Sequence, residues 1–369
     1  MLKKIYIDNF LCLVDFELEF DSINLLLGDN GSGKSAVFEA LLQITSFVNG
    51  RSKLDVLFES RECTRWTNSL IQTFALEVEG NNGIYKYEFA IEHDPEEENC
   101  YVKYENLWFN DHPLIKLQED RMEIHNEDDE KEFNTYPFNL SQSVFTVLGT
   151  TEERNKIVWF KNKMERLWVF QIDPIIMTEM SEKEDGVILY DMENFVSWYR
   201  HLSQNQGKVI QLTQALKEIF DGFEYFQFTS MGSKKRMLEL YFLDEHKNEP
   251  ISYDFSELSD GQRVLIVLYT LLCATQSEDI TICLDEPENF LALPEIQPWL
   301  MELYDLCGEG KLQALLISHH PELINMLAPS AGYWFERGSN KPSRVKRVQD
   351  REKTGLPISE LIARGWLND

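Results

Sequence analysis

Apolar residues at alternate positions mark the first twenty residues, and this is the two-residue period of half-buried strands. The apolar positions are Ile5, Ile7, Leu11, Leu13, Phe16, Leu18 and Phe20. The next segment, Ile23 to Leu27, is almost wholly apolar, as expected for a strand buried on both faces. The pattern predicts two short strands around a turn, a buried strand, and then a helix. The apolar face of that helix consists of Val37, Leu41, Leu42 and Ile44.

The middle of the chain shows a second strand pattern and then a helical one. Strand-like segments at 71–79, 84–91 and 101–109 are separated by the turn-forming sequences Gly80-Asn81-Asn82-Gly83 and Asp94-Pro95. From about 151 to 220, apolar residues recur at mixed helical spacing, among them Val158, Trp159, Phe160, Leu167, Trp168 and Phe170. We predict an antiparallel meander and a helical lobe, with no heptad run long enough for an extended coiled coil.

Helices and strands alternate from residue 252 onward, which is typical of an α/β fold with a parallel sheet. Helices are predicted at about 260–276, 294–307, 322–327 and 358–365. Strands are predicted at 280–284 and 312–318, followed by two edge strands at 332–336 and 344–348. The alternating pattern therefore places a core sheet in the last third of the chain.

A P-loop pattern, Gly28-x-x-x-x-Gly33-Lys34-Ser35, lies between the buried strand and the first helix. Glycines at these positions let backbone N–H groups surround phosphates at a helix N-terminus. We expect Lys34 to reach the β and γ phosphates and Ser35 to hold Mg²⁺. The residues expected to bind the nucleotide are Asn30, Gly31, Ser32, Gly33, Lys34 and Ser35.

Two acids end the apolar run Thr281 to Leu284, where a buried strand delivers side chains to the carboxyl edge of a sheet. Asp285 fits the carboxylate associated with Mg²⁺, and Glu286 fits the catalytic base that polarises the attacking water. Acids often end strands, so it is the combination with the P-loop that makes this assignment strong.

A histidine pair ends a second apolar run, Leu312 to Ile317. A histidine at that strand end can hydrogen-bond a γ-phosphate and position water, and we predict His319 for this catalytic role. The alternative is a metal site formed by His319, His320 and Glu322, although no cysteine accompanies them.

The segment Leu258-Ser259-Asp260-Gly261-Gln262 precedes the helix predicted at about 260–276. Ser259 and the backbone of Gly261 can present hydroxyl and N–H donors to a nucleotide at that helix N-terminus. The alternative is a plain helix start with Ser259 as its N-cap residue.

Along the chain the motifs follow the order P-loop, signature-like segment, acidic strand end and histidine strand end, and in this order they resemble those of the RecF/SMC-like and OLD-like ABC ATPases. The resemblance lies in Ile5-Tyr6-Ile7-Asp8-Asn9-Phe10, the P-loop, the LSGGQ-like segment at Ser259, Asp285-Glu286-Pro287-Glu288-Asn289, and Ser318-His319-His320-Pro321. It implies an α/β P-loop NTPase of the ABC-ATPase head type, with a mixed central sheet, an antiparallel β lobe and a helical lobe. The nucleotide-binding core would comprise residues 1–90 and 251–369, and the β-meander extension and helical lobe would occupy 91–250.

The resemblance also implies that two heads enclose two ATP molecules, with Mg²⁺, and that the signature segment of each head completes the P-loop site of the other. For the glutamine of the Q-loop, which contacts the nucleotide and is a possible Mg²⁺ ligand, the candidate is Gln142; the alternative is an ordinary loop glutamine. We expect a compact single-chain member, since no long coiled coil is inserted. Residues 321–369 also leave no room for the Toprim nuclease of OLD proteins.

The net charge of −28 bears on which classes of molecule the chain can bind. So acidic a chain repels nucleic acid and anionic membrane as a whole, and DNA contact needs a local basic patch. The candidate patches are Lys234-Lys235-Arg236 and the cluster Lys341, Arg344, Lys346 and Arg347. The second cluster has an alternative explanation, because basic residues on an edge strand prevent aggregation.

Scattered cysteines, no signal-peptide pattern, and no apolar run long enough for a bilayer predict a soluble cytoplasmic protein without membrane contact. The sequence favours an ATP-switched homodimer that controls a separate effector protein, such as a nuclease or toxin of a phage-defence-type system. The alternative is a RecF-like repair clamp that binds DNA directly. A transporter subunit is disfavoured by the antiparallel meander and by the RecF-like opening.

Overall fold

The computed structural model describes residues 1–96, 99–127, 132–149, 155–243, 250–275, 279–348 and 356–365. The strands are β1 (Leu2–Asp8), β2 (Phe16–Glu19), β3 (Ile23–Gly28), β4 (Ile71–Gly80), β5 (Gly83–Asp94), β6 (Asn99–Phe109), β7 (His112–Gln118), β8 (Arg121–His125), β9 (Phe133–Pro137), β10 (Leu167–Phe170), β11 (Met180–Ser181), β12 (Phe223–Met231), β13 (Lys235–Leu243), β14 (Pro250–Asp254), β15 (Ile280–Asp285), β16 (Leu312–Ile317), β17 (Gly332–Glu336) and β18 (Arg344–Arg347). The α-helices are α1 (Lys34–Val48), α2 (Leu54–Leu57), α3 (Asn155–Glu165), α4 (Phe195–Leu202), α5 (Gln206–Ile219), α6 (Asp260–Thr275), α7 (Leu293–Gly308), α8 (Pro321–Ala331) and α9 (Ile358–Ala363).

The central sheet has the strand order β10-β15-β16-β3-β17-β18, and only the β17–β18 pair is antiparallel. Every residue of β3, β15 and β16 is buried, which explains why these strands are mostly apolar rather than alternating. Leu25 and Leu27 belong to the hydrophobic cluster that includes α6 and α7, whereas Leu26 belongs to the cluster that includes α1. The sheet is therefore a middle layer, and both of its faces are covered.

An eight-stranded antiparallel sheet, β2-β1-β4-β5-β6-β7-β8-β9, covers α1 on one side of the molecule. It contains the predicted meander as β4, β5 and β6, joined by hairpin pairings. Its inner face packs through aromatic rings: Phe74 and Phe89 stack at 5.1 Å, and Phe89 and Phe47 of α1 stack at 4.8 Å. These contacts hold α1, which begins at the end of the P-loop, against the antiparallel sheet.

A smaller sheet of β11, β13, β12 and β14 combines with α4 and α5 to form the second lobe, which packs on α6. The predicted combination of a mixed central sheet, an antiparallel β lobe and a helical lobe is confirmed. None of the helices in the described part of the chain is both long and apolar enough to cross a bilayer.

Two elements differ from the pattern-based expectation. Leu167–Phe170, assigned to the helical stretch, is strand β10 and pairs in parallel with β15 of the central sheet. A four-residue apolar run has no readable period, so pairing with a neighbour decides its structure. Strand β17, expected at an edge, lies between β3 and β18, so that β18 is the edge strand on this side of the sheet. The domain boundary placed at residue 90 falls inside β5.

Candidate functional site

A cavity of about 640 Å³ opens at the edge of the central sheet where β3, β15 and β16 end. Parallel strands bring their carboxyl ends to one edge, so residues distant in sequence meet there. Among the predicted site residues, the cavity is lined by Asn30, Gly31, Gly33, Lys34, Ser35, Asp285, Glu286 and His319. The volume is within the usual range for a small-molecule site.

The P-loop turn joins β3 to α1 and requires glycine for steric reasons. Gly33 has φ +107°, and a Cβ there would lie 2.4 Å from Ser343 Oγ and 2.9 Å from Cys12 Sγ. Ser32 does not line the cavity; its N–H donates to Asp29 O at 3.1 Å, and its carbonyl accepts from Ser343 Oγ. The N-terminus of the fifteen-residue α1 therefore faces the cavity with its free backbone N–H groups, as a phosphate site requires.

Lys34, Ser35 and Asp285 form the polar floor of the cavity. Lys34 is buried, and its Nζ donates to Gly28 O at 2.7 Å and to Asp29 O at 3.1 Å. Burial lowers the pKa of Lys34, and the nearby Asp285 opposes that effect. Ser35 Oγ donates to Asp285 Oδ2 at 2.9 Å, so a hydroxyl and a carboxylate converge. Hard oxygen donors of this kind fit Mg²⁺.

Glu286 and His319 face each other across the ends of β15 and β16. Glu286 Oε1 lies 3.9 Å from His319 Nε2, and Glu286 Oε2 accepts from Asn289 Nδ2 at 2.9 Å. The backbone of Glu286 has φ +50°, and its N–H donates to Ile317 O at 2.9 Å. Burial, followed by the charge of Lys34, lowers the pKa of His319, so its imidazole is neutral at neutral pH. This pair can bind and polarise a water molecule.

Glu288, which the sequence did not assign to a role, holds the histidine segment in place. Its Oε1 accepts from Ser318 Oγ at 2.5 Å and from the N–H of His319 at 3.2 Å. Burial raises the pKa of Glu288, and the Ser318 hydrogen bond opposes that rise. His320 takes a different role, because its Nδ1 accepts from Glu322 N at 3.3 Å at the start of α8. A helix cap explains the second histidine better than a metal ligand does.

The structure does not bring Gln142, the predicted Q-loop glutamine, to the cavity of the P-loop. Gln142 lines a separate cavity beside Asn49 and Gly50, which follow the C-terminal end of α1. The P-loop lies at the other end of this helix, about 20 Å away by helical rise. Position between two lobes in the sequence does not fix position between them in space.

Gln171, which the sequence did not assign to a role, lies at the end of a strand of the central sheet. It follows β10, whose Phe170 pairs with Leu284, so Gln171 lies beside the end of the Asp285 strand. Its Oε1 accepts from Tyr190 Oη at 3.3 Å. Burial, and next the charge of Asp285, raises the pKa of Tyr190 to about 12. Because residues 167–170 were predicted to be helical, Gln171 was not recognised as lying at the end of a strand of the central sheet.

Ser259 and Gly261 do not line the cavity of their own P-loop. Ser259 is exposed just before α6, and its Oγ accepts from Gln262 N at 3.2 Å in a helix cap. Gly261 packs against the segment after Glu286, because a Cβ there would lie 2.8 Å from Phe290 O. Ser259 is therefore the N-cap residue of α6, as the alternative interpretation predicted. Because Ser259 is also exposed, it is accessible to a second molecule.

A second wall of the cavity consists of residues that the sequence analysis did not identify as site residues. It consists of Leu11, Cys12, Arg61, Cys63, Arg65, Trp66, Arg337 and Asn340. These residues come from three irregular segments that share no motif, so nothing in their spacing indicates that they meet. The wall adds three arginines to an otherwise acidic protein at the one place where phosphates are expected.

A phosphate-binding turn, a hydroxyl–carboxylate pair and a glutamate–histidine pair at one sheet edge define a P-loop nucleoside triphosphatase. A family model described as "AAA domain" matches residues 4–293. The chain belongs to this family.

Two similar proteins illustrate the relationship. Structural maintenance of chromosomes protein 6 from Dictyostelium discoideum is 36% identical over 85 residues, which cover 22% of this chain and 7% of that protein. This chain therefore matches only a small part of that relative. The SMC head domain from Thermotoga maritima is 14% identical, with a TM-score of 0.47, over 94% of this chain and 99% of that one.

Proposed function

We propose that this protein is a Mg²⁺-dependent ATP hydrolase that forms a homodimer around two ATP molecules and thereby switches a separate effector protein. The position of the signature segment carries the proposal. Ser259 is exposed and lies outside the cavity of its own head, so its hydroxyl is available as a donor to the nucleotide of a second head. A composite site of this kind is complete only when two chains meet.

The cavity residues divide the chemistry among themselves. Lys34 and the N-terminus of α1 bind and orient the triphosphate, and Ser35 and Asp285 hold the cation. When bound, Mg²⁺ neutralises charge on the phosphate oxygens. Glu286 accepts a proton from the attacking water, while the neutral imidazole of His319 fixes the orientation of that water and of the γ-phosphate. The resulting charge change opens the dimer after hydrolysis.

Gln171 is proposed as the glutamine that links the nucleotide site to the helical lobe. We expect Gln171→Ala to lower the ATP hydrolysis rate about 10- to 100-fold, since loss of a positioning contact misplaces the attacking water. Gln142→Ala is the matched control and should hydrolyse ATP at the parental rate. Steady-state ATPase assays on both variants decide between the two glutamines: the opposite ranking restores Gln142, and two parental rates leave neither with the role.

A protein effector is favoured over DNA by the charge of the described surface. The basic residues of the edge strand β18 are already engaged: Lys346 pairs with Glu336, Arg347 pairs with Asp21, and Arg344 Nη1 donates to Val14 O at 3.2 Å. The ion pairs of Lys346 and Arg347 lower the positive potential that this strand offers to phosphates. A net charge of −28 suits a basic protein partner. The resemblance to compact OLD-like ATPases suggests a nuclease or toxin of a phage-defence-type system.

The test is affinity purification of Glu286→Gln from the native host with ATP and Mg²⁺, followed by mass spectrometry and a nucleic-acid stain. Lys34→Ala, which should not hold nucleotide, is the control. We expect a second protein at constant stoichiometry with Glu286→Gln and its absence with Lys34→Ala. DNA in place of a protein, lost as salt rises, would replace this proposal with a RecF-like clamp.

A further inference from the structure

Trp66 and Arg337 form a stacked pair in the wall of the nucleotide cavity. Arg337 Cζ lies 5.2 Å from the centroid of the Trp66 ring, so the guanidinium covers the indole. Trp66 is half-buried, Arg337 is exposed, and both line the cavity. Two planar groups are thus presented at a site that already holds the phosphate machinery.

The guanidinium of Arg337 is fixed to the P-loop. Its Nη1 donates to Gly31 O at 3.1 Å, and its Nε donates to Lys341 O at 3.2 Å. These contacts place the Trp66–Arg337 pair next to the turn that binds phosphates, within reach of the rest of a nucleotide. Indole and guanidinium planes are the groups on which nucleobases stack.

A buried asparagine holds the segment that carries Trp66. Asn9 is 1% exposed and has φ +60°, and its amide makes four hydrogen bonds. Nδ2 donates to Ser69 O and Ile71 O, both at 2.8 Å, and Oδ1 accepts from Thr64 N at 3.1 Å and Thr67 Oγ1 at 3.2 Å. All of these partners flank Trp66 in sequence, so one side chain sets the path of the segment.

We propose that Trp66 and Arg337 are the base-recognition pair of the nucleotide cavity, and that Asn9 is the positioning residue that holds Trp66 there. The inference rests on the proposed binding of a nucleoside triphosphate in this cavity. Stacking accepts any base with a sufficient π-face. The pair therefore contributes affinity for ATP and GTP alike and none for a ligand without a base, such as inorganic tripolyphosphate.

The test compares dissociation constants for ATP, GTP and tripolyphosphate, measured by calorimetry on the full chain. Trp66→Ala should weaken ATP and GTP about 10- to 100-fold, the usual effect of losing one base–aromatic stack, and leave tripolyphosphate unchanged. Trp66→Phe should restore most of the affinity. Trp108→Ala removes the same side chain from β6, outside the cavity, and should change none of the three constants.

Asn9→Ser shortens the amide that holds the segment and tests the positioning role. It should raise the ratio of the ATP to the tripolyphosphate dissociation constant, as Trp66→Ala does. A lower melting temperature with an unchanged ratio would make Asn9 merely structural and overturn that part of the proposal.

If Trp66 and Arg337 do not recognise a base, the results differ from those expected if the cavity does not bind a nucleotide at all. If Trp66→Ala weakens ATP and tripolyphosphate equally, or weakens neither, the pair does not recognise a base, although ATP binding stands. If the parental chain binds neither ligand, the nucleotide site itself is wrong, and the base-recognition pair is overturned with it.

Discussion

Glu286→Gln is expected to slow ATP hydrolysis about 100- to 10,000-fold, the usual contribution of a general base, while ATP affinity changes little. The amide keeps the size of the side chain and its contact with Asn289, but it cannot accept a proton from water. Lys34 and Ser35, which hold the triphosphate and the cation, are untouched. Nucleotide therefore stays bound, and we expect the closed dimer to accumulate.

Single-turnover hydrolysis and sedimentation velocity with ATP and Mg²⁺ measure the two parts of this prediction. Glu322→Gln, the same substitution at the start of α8, lies outside the cavity and should hydrolyse ATP and sediment like the parental protein. If Glu286→Gln hydrolyses ATP at the parental rate, the base is another residue, and Glu286 has only a local structural role.

Ser259→Arg is expected to abolish ATP-dependent dimerisation and to lower hydrolysis about 100-fold, the scale of losing a preorganised donor to the reacting phosphate. Ser259 is exposed at the start of α6, so arginine adds bulk where a second head would approach. The P-loop cavity of the same chain does not include Ser259. Each isolated head should therefore bind ATP with the parental affinity.

Sedimentation velocity and titration with a fluorescent ATP analogue separate these outcomes. Ser252→Arg places the same side chain at an exposed position of β14, seven residues before Ser259 in the sequence, and serves as the control. A Ser259→Arg protein that dimerises with ATP as the parent does would contradict the composite site, and one that no longer binds ATP would show a folding defect rather than an interface.

The sequence by itself determined the strand ends that carry the phosphate chemistry. Strands β3, β15 and β16 are mostly apolar runs, which is the pattern of strands buried on both faces. Asp285 ends β15 itself, His319 lies two residues after the end of β16, and Lys34 follows β3 after the glycine-rich turn. Since parallel strands end at one edge, local pattern was enough to bring these side chains together.

Pairing between distant segments decided the rest. The run at 167–170 is too short to show a period, and only its ladder with β15 made it a strand and brought Gln171 beside the end of the strand that carries Asp285. Trp66 and Arg337 come from loops, whose paths depend on contacts such as those of Asn9. Side chains that follow a buried strand inherit its position from the sequence, whereas side chains in loops acquire theirs only when the tertiary structure forms.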